Sequence, residues 1–307
     1  FGVNNMFKTR ISGIAVALSL LILPTVPSFV SAADEIEEVV AVGTRREARS
    51  VGDSPAPVDI ISGSDFTNQG AADLPDMIRT LVPSFNVNTQ PISDAATLIR
   101  PANLRGLPPD NMLVLVNGKR RHRGAVISFL GSGISDGAQG PDISAIPSIA
   151  LKQVEVLRDG AAAQYGSDAI AGIMNFVYKD NAEGTQIEIR SGEYSDGDGD
   201  MYRVAANIGM PFTADGFANV SIELQESDAT SRSVQRGDAQ ALYDGGNAAI
   251  WNYPNPAQVW GSPDVSDDVK LVANIGLELD ANKEFYLFGN YAERKVLGGF
   301  FLSLIHI

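Results

Sequence analysis

The side chains that could do chemistry here are few: two histidines, several acidic runs, and the basic run Lys119, Arg120, Arg121, His122, Arg123. His122 and His306 lie far apart and there is no cysteine, so zinc or copper, which need neighbouring nitrogen or thiolate ligands, has no evident site. No serine, histidine and acid stand together in a catalytic pattern either; His122 sits within the basic run, no catalytic residue is expected, and no cofactor is implied. The alternating Asp196, Asp198 and Asp200 have the spacing that opens a calcium loop. That match fails further on, where Met201 stands in place of the glycine and Asn207 in place of the bidentate glutamate, leaving at most weak cation binding. The basic run is suited either to an anionic ligand or to a solvated surface. Acidic residues outnumber Lys and Arg by 37 to 23, a formal charge of -14, and a field of that sign repels phosphate backbones, so nucleic acid is not an expected partner.

The elements that must position these groups begin with an export signal. Lys8 and Arg10 precede the apolar run from Ile11 to Leu23, and Val30, Ser31, Ala32 and Ala33 provide small residues for cleavage. That order marks a removable signal peptide within residues 1–33, its apolar run too short to span a bilayer comfortably. Residues 34–50 follow: Asp34, Glu35, Glu37 and Glu38, then the β-prone Val39, Val40, Ala41 and Val42, ended by Gly43. The sequence offers this short strand no partner. At a free terminus, such a segment suits binding by strand addition to another protein's sheet.

Residues 51–182 read as a mixed α/β domain. A strand is expected from Val58 to Ile61, followed by a short helix with Ser62, Ser64 and Asp65 as possible N-caps. A second helix from Leu74 to Leu81 is capped by Asp73 and stopped by Pro83. The apolar run from Asn111 to Val116 ends in Asn117-Gly118, the dipeptide of a type I′ hairpin turn. Gly131 to Gly140 reads as a long loop. Val154 to Val156 form a strand, Asp159-Gly160 turn it, Ala161 to Tyr165 make a helical turn closed by Gly166, and Ile173 to Tyr178 form another strand. Gly106, Gly118, Gly160, Gly166 and Gly172 serve backbone geometry and form no phosphate loop.

Residues 183–307 change period. Ile187 and Ile189 alternate with Gln186, Glu188 and Arg190; Tyr202, Val204, Ala206 and Ile208 oppose Arg203 and Asn207; Val220, Ile222 and Leu224 oppose Asn219, Ser221, Glu223 and Gln225. Val269 to Leu279 and Glu284 to Arg294 continue the series. The apolar face packs on a second sheet in a soluble sandwich, or meets lipid in a transmembrane barrel. Tight turns near Phe212 to Asp215 and Asp280 to Asn282, against the long loop from Ala229 to Asp268, fit a barrel with short periplasmic turns and long outer loops.

Three blocks in order, LPDMIRTLVPSFNV, LRGLPPDNMLVLVNG and LKQVEVLRDGAAAQYGSDAIAGIMNFVYK, are similar to the plug domain of TonB-dependent receptors, and EEVVAVGTRR resembles their TonB box. The resemblance implies a mixed α/β plug followed by the first antiparallel strands of a truncated transmembrane β-barrel, in the outer membrane of a Gram-negative bacterium. It implies that Glu38, Val39, Val40, Ala41 and Val42 bind the TonB C-terminal domain. Arg105, Glu155 and Arg158 take plug–barrel contacts by the same resemblance, and Arg120, Arg121 and Arg123 are candidates to meet substrate. The activity implied is energised uptake of an unidentified small molecule of the siderophore-iron, cobalamin or oligosaccharide class, with outer-membrane lipid as a further partner. A receptor acting chiefly in signalling, or a secreted β-rich binding protein, is the alternative; the lack of an extra domain between signal and box speaks against signalling. Plugged barrels close at about 22 strands, so the sequence predicts part of a longer chain.

Overall fold

The computed structural model describes residues 39–40, 49–50, 57–71, 73–87, 99–128, 133–213, 215–247, 249–250, 260–280 and 283–299. The expected signal peptide lies outside them. So do Glu38, Ala41 and Val42.

The first element, β1 (Val39–Val40), pairs antiparallel with β2 (Arg49–Ser50). This corrects the expectation of a strand without a partner. An extended backbone gains by satisfying its N–H and C=O groups, and Arg-Ser carries no β signal by which the sequence could have revealed the pairing.

The mixed domain follows as β3 (Val58–Ser62), α1 (Gly63–Thr67), α2 (Leu74–Leu81), β4 (Phe85–Val87), β5 (Ala102–Leu104), β6 (Met112–Val116), β7 (Lys119–Arg120), β8 (Leu151–Leu157), α3 (Ala162–Tyr165) and β9 (Gly172–Tyr178). Its five-stranded sheet has the order β3-β8-β9-β6-β7. Only β6 and β9 run parallel; the other neighbours are antiparallel. The local signals act as expected. Ser62 caps α1 in a reciprocal box with Asp65, whose N–H donates to Ser62 Oγ at 3.3 Å while Asp65 Oδ2 accepts from the Ser62 N–H at 2.9 Å. Asp73 caps α2, and Leu74, Met77 and Ile78 turn inward at helical spacing. Asn117 and Gly118 both take positive φ, 46° and 72°, and fold β7 back on β6.

Why β6 is apolar throughout becomes clear from its two faces. Met112, Val114 and Val116 enter one core cluster, with Met174, Phe176 and the α2 side chains; Leu113 and Leu115 enter a second, with Val58 and Ile173. A strand covered on both faces needs no alternation. Gly172 sits where β9 leaves the preceding loop at φ 143°, and an added Cβ would stand 2.3 Å from the Leu157 carbonyl oxygen, so the close approach of β8 and β9 requires glycine.

The second sheet is an antiparallel meander of β10 (Thr185–Gly192), β11 (Met201–Thr213), β12 (Gly216–Ser227), β13 (Asp264–Asp280) and β14 (Lys283–Leu297), paired in chain order. The connection between β12 and β13 contains α4 (Gly237–Asp244), and β13 begins before the expected end of that loop. The burial of this sheet is inverted relative to a soluble protein. Arg203, Asn207, Asn219, Ser221, Glu223, Lys270 and Asn274 are buried, whereas Ile189 is 77% exposed, Leu287 56% and Leu297 75%. The polar face packs on the mixed domain and the apolar face is left bare. Strands β11 to β14 run 13, 12, 17 and 15 residues, longer than the roughly 9–11 that cross a bilayer. No described helix is long and apolar enough to do so. Among the described residues the meander is open, with β10 and β14 at its edges.

Candidate functional site

The seam between the mixed domain and the meander is built by strand register. Arg190, Arg203, Gln225 and Asp268 are successive cross-strand partners, as are Glu188, Ala205, Glu223 and Lys270. Because all belong to the inward face, two adjacent rungs place charge against the mixed domain. Arg203 Nη2 donates to Glu223 at 2.7 Å and reaches Ser148 Oγ, across the seam, at 2.5 Å. Lys270 Nζ donates to the other Glu223 oxygen at 2.7 Å and lies 3.3 Å from Asp268. Buried charge is tolerated only when paired in this way. The next rungs are neutral: Asn219 donates to Asn181 Oδ1 at 2.9 Å, Asn117 to Asn274 at 3.2 Å, Asn274 to the Lys179 carbonyl at 3.0 Å, and Lys179 to Gln186 at 2.6 Å. Apolar contact comes from Val272 and Phe288, which join the main core, with Phe288 edge-on to Tyr178 at 6.2 Å between ring centroids.

Facing these rungs is a buried triad at the start of α2. Arg100, held at φ 48°, bridges Asp73 and Asp76. Burial pushes the Asp73 carboxyl up, but the Arg100 guanidinium outweighs burial and holds it at about 2; the Lys270 charge adds to the lowering. Asp76 goes the other way, raised by burial and by the charge of Asp73. The cap of α2 is therefore kept ionised beside the seam.

The contacts described for Arg105, Glu155 and Arg158 lie inside the mixed domain. Arg105 reaches the Ala171 carbonyl at 3.4 Å. Buried Glu155 accepts from Gln153 at 2.9 Å and Asn175 at 3.1 Å. Arg158 joins Asp59 across β8 and β3 at 2.5 Å. Their positions in turn-restricted or apolar motifs also suit internal bracing, which is how their described contacts are used. The described seam contacts are made by Arg190, Arg203, Lys270 and a set of asparagines, among others. Alternation placed the strand residues on the inner face; it could not say what they touch.

Within the basic run, Arg120 and Arg123 share Asp168, Arg123 also pairs with Asp110 at 3.1 Å, and Arg121 donates to Asn290 on β14 at 2.6 Å. Lys119 lies over the Tyr286 ring at 5.1 Å. A cleft of about 140 Å³ is lined by the three arginines, His122, Asp110 and Asp168. The acidic loop before β11 is closed from outside the motif: Arg232, on the β12–β13 connection, lies 2.5 Å from Asp198 and 3.2 Å from Asp196. Those carboxylates hold a guanidinium, and both loops thereby lie at the same end of the meander.

Residues 50–173 match the family described as the TonB-dependent receptor plug domain. They are a TonB-dependent receptor plug domain. The chain is 27% identical over 219 residues to the vitamin B12 transporter BtuB of Photobacterium profundum, covering 71% of this chain and 32% of that protein. It is 31% identical over 160 residues to the ferric enterobactin receptor PirA of Pseudomonas aeruginosa, covering 51% and 21%. The siderophore receptor PirA of Acinetobacter baumannii has a similar fold, with a TM-score of 0.56 at 20% identity over 80% of this chain and 32% of that one. The chain thus spans about a third or less of the length of these relatives. The meander behind the plug has the fold of the strands that follow the plug in such receptors.

Proposed function

We propose that this chain belongs to an outer-membrane receptor that takes up a bulky small molecule, with the plug as its gate and residues 183–307 as the start of its barrel. The observation that carries this reading is the inverted meander, polar toward the plug and apolar outward, which suits a wall with lipid on one side and a hydrated seam on the other. A polar seam can part without exposing the plug's own core. The division into residues 34–50, 51–182 and 183–307 belongs to the same proposal. So does periplasmic access to the segment Glu38 to Val42, where the TonB C-terminal domain would add a strand beside β1. The names of the relatives favour a cobalamin or siderophore substrate, and no step of the proposed role requires covalent chemistry.

The sequence has no cysteine, so a single substitution gives a unique probe site once any cysteine in the rest of the receptor is replaced by serine. In the full-length receptor, spin labels at Ile189→Cys and Leu287→Cys should be reached by oxygen from the lipid and shielded from a water-soluble nickel relaxant, with the reverse at an outer-loop control, Val234→Cys. Nickel access at both strand positions would contradict a lipid-facing surface.

The cleft beside Arg120, Arg121 and Arg123 is the proposed plug contact for an anionic substrate, which would compete with Asp168 and Asp110 for the guanidinium groups. Replacing all three arginines with serine should weaken substrate affinity by about tenfold or more, the loss of roughly 1.4 kcal/mol. Unchanged affinity in equilibrium binding would remove this cleft from the substrate path.

A further inference from the structure

Arg190 of β10 crosses the seam to the C-terminal end of α1. Its Nη1 donates to the Gln69 carbonyl at 2.6 Å, and its Nη2 to the carbonyls of Thr67 at 2.7 Å and Phe66 at 3.2 Å. The last carbonyls of a helix carry its negative dipole end, and although that of Phe66 already accepts from the Gln69 N–H at 3.2 Å, a guanidinium is well suited to all three. The same arginine has a second acceptor in reach. Glu188 Oε2 lies 3.5 Å from Arg190 and 3.8 Å from Arg203, and this buried oxygen has no hydrogen-bond partner. Arg190 and Arg203 are moreover direct cross-strand partners, an arrangement of like charges that is destabilising unless each is engaged elsewhere.

We propose that Arg190 is a positioning residue that works as a two-position latch: engaged, it grips the α1 carbonyls; released, it swings to Glu188 Oε2 on its own strand. The inference rests on the reading of the meander as the wall around the plug. Topology gives the latch its meaning. The N-terminal segment leads into β3, an edge strand of the plug sheet held by β8 alone, and α1 follows β3 directly. Among the described seam contacts, a displacement entering from the N terminus therefore meets Arg190 first. Release leaves no bare guanidinium in the seam, because Glu188 receives it, and the attachments at Asn117, Arg121, Lys179 and Asn181 are untouched.

Hydrogen exchange of the full-length receptor in detergent, without substrate or TonB, tests this separately from uptake. Arg190→Ala should raise exchange over residues 63–70 by roughly tenfold or more, as expected for loss of a charge-assisted group, while residues 172–178 stay unchanged. Arg190→Lys should fall between the two, since an ammonium can still serve one or two of the carbonyls. Glu188→Gln should act with opposite sign and slow exchange over residues 63–70 severalfold, because the released position loses its negative charge and the ion pair it offers the guanidinium. Should Arg190→Ala fail to assemble, Arg190→Lys carries the same comparison. Equal acceleration throughout the plug in the Arg190 variants, or acceleration over residues 63–70 in Glu188→Gln, would overturn the latch.

Discussion

Replacing Lys270 by methionine in the full-length receptor should destabilise it by about 3–5 kcal/mol, the range expected when one partner of a buried ion pair is removed. Lys270 is 2% exposed and holds two carboxylates, Glu223 at 2.7 Å and Asp268 at 3.3 Å. Methionine keeps the volume and removes the charge, leaving Asp268 facing Glu223 with Arg203 and the more distant Arg294 to balance them. The size of the effect comes from the abandoned carboxylates, so a second substitution, Asp268→Asn, should recover much of the loss by restoring the Arg203–Glu223 pair to neutrality. Lys283 offers the contrast. Its partner Asp280 is at a similar distance, 2.9 Å, but the side chains are 72% and 48% exposed, and Lys283→Ala should leave stability unchanged within error, as solvent-screened pairs commonly do. Thermal unfolding followed by the loss of barrel mobility on gels reads all three. A Lys270→Met receptor as stable as the parent would mean that the rungs of charge are not buried against the plug.

Much of the plug was legible because its signals are local. The Asn117-Gly118 turn, the Asp73 cap, the Pro83 stop and the glycine at 166 each act through backbone geometry within a few residues, and each appears at its expected place. The alternation of β10 to β12 was equally plain, since the side-chain period of a strand is 2. What escaped was everything set by partners distant in sequence. Arg105, Glu155 and Arg158 are charged residues in restricted motifs, a pattern that fits an interface and an internal brace alike; their described contacts with Ala171, Asn175 and Asp59 are braces. Arg190 sits in an unremarkable alternation, and nothing near it reveals that three carbonyls from residues 66–69 stand opposite. The pairing of Val39–Val40 with Arg49–Ser50 escaped because Arg-Ser carries no β signal of its own.

That pairing also bears on the second large effect. Val39–Val40 is engaged along one edge by Arg49–Ser50, and a two-residue ribbon is a weak competitor for a partner sheet, because short isolated strand pairs are marginal in water. A TonB domain can add at the other edge or displace the second strand, and either route needs the backbone of this segment. Side chains elsewhere in the plug cannot substitute for it. The expected loss is consequently complete for coupling and absent for binding.

The most direct test is a paired measurement on the full-length receptor lacking residues Glu37 to Val42: equilibrium substrate binding at the cell surface and accumulation of labelled substrate under an intact proton gradient. Binding equal to the parent with uptake reduced to that of a TonB-deficient strain is the expected result. Uptake that persists at the parental rate would contradict the assignment of this segment, and with it the account of the plug as a gate opened from its N terminus.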